Sequence, residues 1–381
     1  MEVLARRGQT WAQVLPASRG GKVGGMRVGI EEEVFITEPD RPTLNSLYYL
    51  ARLLWRDPGF YYTHSASNFA RGWDARSCLM GGVEVATKPA GGPKEAVGDL
   101  AARRRDLAAV AGGLVVPVGH LFDLEAPTNT CGLHVHLGPL PDPRRSYAAI
   151  VHYLPVLAAM TVNSPFAGGR DVGVSYRMQR SFAIGPLRSD WTYRFQDVIY
   201  SRRLGTIEIR VFDPFWDLER LRWLVSACVA VALIDRPVQA DLDLYNRLRE
   251  MVAREGYGRP VRRLYQELAS FFPLPERFLL HPPAEETRRL YRTRGTVGAY
   301  AALDRAYRLS GLDEVGERPL AGEAGSQPGQ GQGAGAVSGA GPRGRARGLG
   351  LPVRAAVGFV GYFLPKAPYV IFKAWREWRE G

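Results

Sequence analysis

The chain has 381 residues, 46% of them hydrophobic, so it can bury a sizeable core in one large or two modest domains. Its formal charge of +12 favours anionic partners such as phosphates, nucleic acid or lipid headgroups, without choosing among them. The three cysteines, Cys78, Cys131 and Cys228, are odd in number and far apart, which argues against a disulfide framework or zinc knuckle and makes a reducing cytoplasm the expected compartment. The absence of any long uncharged apolar run argues against an ordinary membrane-spanning helix.

Residues 1–25 read as a short leader that lacks the apolar core of a signal peptide. The first strand is expected over 26–37, MRVGIEEEVFIT. Side chains two apart on a strand share a face, so Glu31 and Glu33 point one way while Ile30, Glu32 and Val34 point the other. Leu47, Leu50, Leu53 and Leu54 give 44–55 a helical stripe. A second strand, 78–87, places Glu84 between two valines. Pro93 suits a helix start, and the helix over 95–110 is expected to turn Arg103–Arg105 to water.

A short apolar strand follows at 114–119, then 129–138, NTCGLHVHLG, with His134 and His136 on one face. Cys131 is expected to be a packed thiol, since no base is placed beside it. A helix over 146–162 contains Pro155. Residues 163–177 are irregular and Gly-rich, which fits a loop wrapped around a ligand or an ordinary surface loop. Residues 182–200 carry aromatics without a clean period. The strand 205–213, GTIEIRVFD, sets Glu208 and Arg210 opposite Ile207, Ile209 and Val211. Helices are then expected at 218–234, 241–254, 261–271 and 284–306. Residues 316–349 read as a Gly-rich flexible linker, and 350–381 as a basic, aromatic tail. The expected domains are thus the leader, a catalytic unit over 26–315, the linker and the tail.

Charged groups on apolar strands are costly to bury unless they are paired or hold a metal or ligand. Each pattern alone is weak: an isolated ExE usually marks a solvated face, and an isolated HxH a structural pair. Together, Glu31, Glu33, Glu84, His134, His136, Glu208 and Arg210 form a set that one sheet can gather into a single cavity. Carboxylates with imidazole suit magnesium, with manganese as the alternative. An arginine in the same cavity suits a carboxylate or phosphate. With no evident nucleophile, the set points to phosphoryl chemistry. Neither GxxxxGK[ST] nor GxGxxG opening a βα unit is present, so any nucleotide is held without those folds.

The pieces G29-I-E-E-E33, V83-E-V-A-T87, G132-L-H-V-H-L-G138, N163-S-P-F, G173-V-S-Y-R177 and G205-T-I-E-I-R210, in this order, resemble the glutamate–cysteine ligase type 2 family, carboxylate–amine ligases related to glutamine synthetase. The likeness covers roughly residues 26–235. It implies an α+β fold, a curved antiparallel sheet with helices on its outer face. It also implies use of ATP and Mg²⁺ to convert a carboxylate, usually the γ-carboxylate of glutamate, into an acyl phosphate that an amine then displaces. On this resemblance Glu31, Glu33, Glu84, His134 and Glu208 would hold magnesium, and His136 would approach the ATP phosphates. Arg210 would stabilise the transferring phosphoryl group, and Arg177 would bind a substrate carboxylate or phosphate.

The chain departs from the family pattern at Ser77, where an acidic residue is usual and Asp74 is the nearest acid upstream, and at Val172, where threonine is usual. The stretch between Arg177 and Gly205 is also shorter, which bears on the second substrate. Two other readings stay open: a metal-dependent hydrolase, and a degenerate ligase fold kept as a binding module. A homo-oligomer without nucleic acid is expected. The tail is expected to fold back on the body or a second subunit, with weak membrane-surface contact as the alternative.

Overall fold

The computed structural model describes residues 25–43, 82–202 and 204–310, together with 45, 49, 52–53 and 61–63. The leader, most of the 44–55 helix, Asp74, Ser77, the start of the 78–87 strand, the linker and the tail lie outside the described residues.

The strands are β1 (Arg27–Thr37), β2 (Tyr61–Thr63), β3 (Gly82–Ala86), β4 (Leu114–Val116), β5 (Leu133–Gly138), β6 (Phe166–Ala167), β7 (Arg170–Asp171), β8 (Val198–Ser201) and β9 (Thr206–Phe212). The helices are α1 (Pro93–Val110), α2 (Pro143–Ala159), α3 (Tyr176–Arg180), α4 (Leu218–Ala232), α5 (Leu242–Glu255), α6 (Arg259–Ala269), α7 (Arg277–Leu280) and α8 (Pro283–Ser310), the last broken at Gly295. Seven strands form an open antiparallel sheet in the order β2-β3-β1-β5-β9-β8, with β4 also on β1; β6 and β7 form a separate small hairpin. This is the expected α+β class.

The alternation read from the sequence decides how the sheet is used. Val28, Ile30 and Val34 of β1 lie with Val83, Val85, Val135, Ile207 and Ile209 in the main core. Leu100 of α1, Leu154 of α2 and Leu224 of α4 join that cluster, so these helices cover the apolar face. A second cluster forms where β1 and β4 meet α8, around Phe35, Val116, Phe122 and Tyr300. Cys131, the expected packed thiol, is buried in it.

Two expectations change here. Arg104 does not face water. It is 1% exposed, and its guanidinium grips Glu32, the carbonyls of Phe215 and Trp216 and the hydroxyl of Ser310. Glu32 lies on the core side of β1 between Ile30 and Val34, and a carboxylate there requires a cation. The 163–177 segment is a packed junction rather than a free loop. Asn163 donates to the carbonyls of Pro117 and Pro214 and accepts from Thr287. The buried Asp213 carboxylate accepts from the Asn163 amide and the Ser164 hydroxyl, each at 2.8 Å.

Candidate active site

Register places the polar strand residues on one face of the sheet. Glu33 is paired with Glu84, Glu31 with His134, and His136 with Glu208. Directly opposed residues on antiparallel strands project to the same side, and positions two apart share that side. Glu31, Glu33, Glu84, His134, His136, Glu208 and Arg210 therefore stand together, opposite the helix-covered face, although the first and last are far apart in sequence.

The tightest grouping is Glu31, His136 and Glu208, whose ligand atoms all lie within 4.8 Å of one another. His136 Nε2 is 3.2 Å from Glu31 Oε2. His134 Nδ1 borders the same space, 3.5 Å from Glu31 Oε2 and 3.7 Å from Glu208 Oε1. Both ring nitrogens of His134 are buried and make no hydrogen bond among the described residues. The grouping thus includes His136, which the resemblance set on phosphate, while His134, set on metal, stands just behind. The reason is register, since His136 rather than His134 is directly opposite Glu208.

Burial alone would raise the Glu31 carboxyl, but His134 and His136 beside it hold it well below the usual carboxylate range. Burial opposes a charge on His136, yet Glu31 and then Glu208 raise its pKa. The donor set of two carboxylates and an imidazole fits a magnesium- or manganese-sized cation.

Glu33 and Glu84 are both 4% exposed and sit toward the β3 side. Glu33 Oε2 accepts from the Gly132 amide at 2.6 Å, which fixes the turn leading into β5. On the other side, Arg210 Nε lies 3.0 Å from Glu208 Oε1. Its Nη1 donates to the carbonyls of Ala183, at 2.9 Å, and Arg194. The guanidinium thereby ties β9 to both limbs of the 181–197 segment. The Arg210 amide donates to the Asp197 carbonyl, and the Asp197 carboxylate is held by Arg249 and Tyr245 from α5.

Arg177 is packed against the β9 main chain. It is 2% exposed, and it donates to the carbonyls of Arg210, Val211 and Phe212 at 2.9–3.1 Å. Asp213 stands 3.9 Å away. Burial lowers the Arg177 pKa, against the charges of Asp213 and Glu33. The guanidinium thus spans the main chain of β9 and borders the Gly132–His134 stretch at the start of β5.

Gly132 makes room for that guanidinium. A Cβ there would lie 2.2 Å from Arg177 Nη2 and 2.9 Å from His134 Nε2. Gly132→Ala is expected to destabilise the fold by about 1–3 kcal/mol through this overpacking and to weaken metal binding by displacing His134. Urea denaturation and Mn²⁺ titration of the variant check both parts.

Sequence reading missed Arg104, Asp197, Asp213 and Arg249. The one signal available was Glu32, a carboxylate in the apolar register. Two open grooves, of about 350 and 210 Å³, meet at Trp216, Glu286 and Arg289, and no residue of the polar face lines either. Among the described residues, no helix is long and apolar enough to cross a membrane.

No family model matches the chain. A protein named "Putative glutamate--cysteine ligase 2" from Bradyrhizobium sp. (strain ORS 278) is 31% identical over 194 residues, 42% of this chain and 44% of its own length. One of the same name from Azoarcus sp. (strain BH72) is 29% identical over 163 residues, 33% of this chain and 43% of its own length. The chain thus spans less than half the length of the curated relatives it matches. Among solved structures, a glutamate–cysteine ligase from Francisella tularensis in complex with AMP aligns with a TM-score of 0.53 at 12% identity, over 78% of this chain and 90% of that one. A bifunctional glutathione synthetase from Pasteurella multocida aligns with a TM-score of 0.52 at 14% identity, over 76% of this chain and 52% of that one. In sequence the chain is therefore similar to proteins named "Putative glutamate--cysteine ligase 2", and in fold to a solved glutamate–cysteine ligase and a solved bifunctional glutathione synthetase.

Proposed function

We propose that the chain is an ATP-dependent carboxylate–amine ligase of the glutamate–cysteine type. It would activate a carboxylate, most simply the γ-carboxylate of glutamate, as an acyl phosphate and pass it to an amine. The observation carrying this reading is the gathering of Glu31, His136 and Glu208 ligand atoms within 4.8 Å, with Arg210 attached to Glu208 on the same face. Acidic donors beside a fixed guanidinium match the two needs of phosphoryl transfer, a cation for the phosphates and a donor for the charge that builds between them.

Glu31, Glu208 and His136 would hold a divalent ion, with His134 beside them and Glu33 and Glu84 further along the same face. When bound, such an ion neutralises phosphate charge and orients the oxygens. Arg210 would face the transferring group, held in line by Ala183 and Arg194. Arg177, by fixing the carbonyls of residues 210–212, would keep Arg210 from swinging away. The catalytic unit is proposed to span 26–315, followed by the linker and the tail, in a cytoplasmic homo-oligomer.

The test is a product-resolved screen with purified protein, ATP, Mg²⁺, glutamate and a panel of amines, read by phosphate release and product mass. Phosphate release that requires nucleotide, carboxylate and amine together is the expected result. Release that needs ATP but neither carboxylate nor amine, with water taking the phosphoryl group, would favour the hydrolase reading, and absence of both ATP and Mg²⁺ binding would favour a binding module. Removing one ligand should be visible without turnover: Glu208→Gln is expected to weaken Mn²⁺ binding roughly 10–100-fold, as measured by titration of free ion. Unchanged affinity would place the ion elsewhere.

A further inference from the structure

Behind Arg210 lies a buried ion pair that the chemistry above does not use. Asp197 and Arg249 are both buried; Arg249 Nε is 2.5 Å from Asp197 Oδ2, and its Nη2 is 3.3 Å from Oδ1. The Tyr245 hydroxyl donates to the same carboxylate at 2.6 Å. Asn246 adds a second hold. Its Oδ1 accepts from the Leu187 amide at 2.8 Å, and its Nδ2 donates to the Leu187 carbonyl at 3.1 Å. Tyr245 and Arg249, four apart, share a face of α5, and Asn246 lies beside them. The helix therefore grips residues 187 and 197, the two ends of a limb that has neither helix nor strand of its own.

That limb orients Arg210. The Arg210 amide donates to the Asp197 carbonyl at 2.7 Å, and its Nη1 donates to the carbonyls of Ala183 and Arg194. These bonds take both hydrogens of Nη1, and Nε stands 3.0 Å from Glu208. The Nη2 edge is left to meet a phosphoryl oxygen. A planar guanidinium presents its donors in a fixed fork, so the direction of Nη2 follows the positions of residues 194 and 197. Displacing a group that faces the transition state by about 1 Å can cost about 100-fold in rate.

We propose that Arg249 is a positioning residue for the phosphoryl step: bonded to Asp197, it fixes the 187–197 limb and with it the Nη2 edge of Arg210. The proposal rests on the ligase reading above and assigns a role to a residue of α5 that the reading leaves idle. Arg249 touches no reacting atom, and its effect passes through the main chain of Asp197. A buried ion pair serving stability alone could sit anywhere in the core. This one falls on the residue whose carbonyl holds the Arg210 amide, and Tyr245 and Asn246 secure the same limb. Its loss should therefore resemble a milder loss of Arg210, lowering kcat while ATP affinity is kept.

The test uses the full chain and two variants that loosen the limb differently. Arg249→Met with Asp197→Asn removes both charges, so neither is left buried alone, and Asn246→Ala releases only the Leu187 end. Each is expected to lower the kcat of carboxylate- and amine-dependent phosphate release about tenfold, with KM for ATP within about twofold of the parent. Arg249→Lys, which keeps the cation, is expected to lose less. In an Arg210→Ala background the same changes are expected to cost about twofold or less, because the group they position is gone. Equal losses in both backgrounds, or an unchanged kcat, overturn the proposal. Amide hydrogen exchange supplies a readout without turnover. Faster exchange is expected in peptides covering 183–197 and 206–212, with 133–138 unchanged. Equal exchange in the parent and both variants, or faster exchange in 133–138 as well, overturns the positioning role whether or not phosphate is released. The local change in variants of a chain that releases no phosphate supports the hold of α5 on Arg210 and overturns the ligase reading alone.

Discussion

Arg210→Ala is expected to lower carboxylate- and amine-dependent phosphate release about 100-fold or more, while affinity for ATP changes only a few-fold. The guanidinium faces charge that develops mainly in the transition state, so its loss falls on kcat. Its Nε is 3.0 Å from Glu208, and its Nη1 bonds two carbonyls of the neighbouring segment. Alanine would therefore also free that segment. Arg210→Lys separates the two effects. An ammonium keeps the charge but not the planar fork, so a large loss in the lysine variant with an unchanged melting temperature assigns the effect to geometry at the reacting group. Comparable turnover in Arg210→Ala and the parent would remove Arg210 from the chemistry.

The largest stability effect is expected at the opposite face of β1. Arg104→Ala leaves the Glu32 carboxylate buried without its cation and is expected to cost about 3–5 kcal/mol in chemical denaturation. Arg104 bonds both Glu32 oxygens, at 3.0 and 2.5 Å, and the two side chains are 1% and 0% exposed. Replacing the pair together, Glu32→Leu with Arg104→Met, removes both charges and is expected to fall within about 2 kcal/mol of the parent. A single-variant cost below about 1 kcal/mol would mean that water or another cation reaches Glu32.

These two sites also show what a sequence can and cannot disclose. Period-two alternation was enough to sort Glu31 and Glu33 from Glu32, and Glu208 and Arg210 from their isoleucines, because one-sided burial makes strand register strongly specified. The longer helices after 218, α4, α5, α6 and α8, were legible from their apolar stripes to within a few residues, whereas the four-residue α7 was not. Arg104 was not, because three consecutive arginines on a helix read as a solvated face and only the crossing of α1 behind β1 selects the middle one. The contacts of Arg177 were hidden for a related reason: a motif names a residue type, whereas the carbonyls its guanidinium bonds belong to a strand more than thirty positions on. Asp197 and Arg249 are brought together by the packing of α5 on the 181–197 segment, which no local pattern encodes.

The Glu32 contact has a further consequence for biosynthesis. Besides Arg104, Glu32 accepts a hydrogen bond at 2.9 Å from the Tyr307 hydroxyl, 275 positions later. Ser310, at the end of α8, bonds the same arginine. As the chain emerges N-terminus first, β1 and α1 leave the ribosome early, but the polar cluster behind β1 cannot be completed until the last turn of α8 is out. Vectorial synthesis therefore cannot finish this half of the sheet as an independent unit. Nascent chains stalled before Tyr307 would carry an incompletely satisfied buried ion pair and an unsealed core, and would be the species that chaperones must hold.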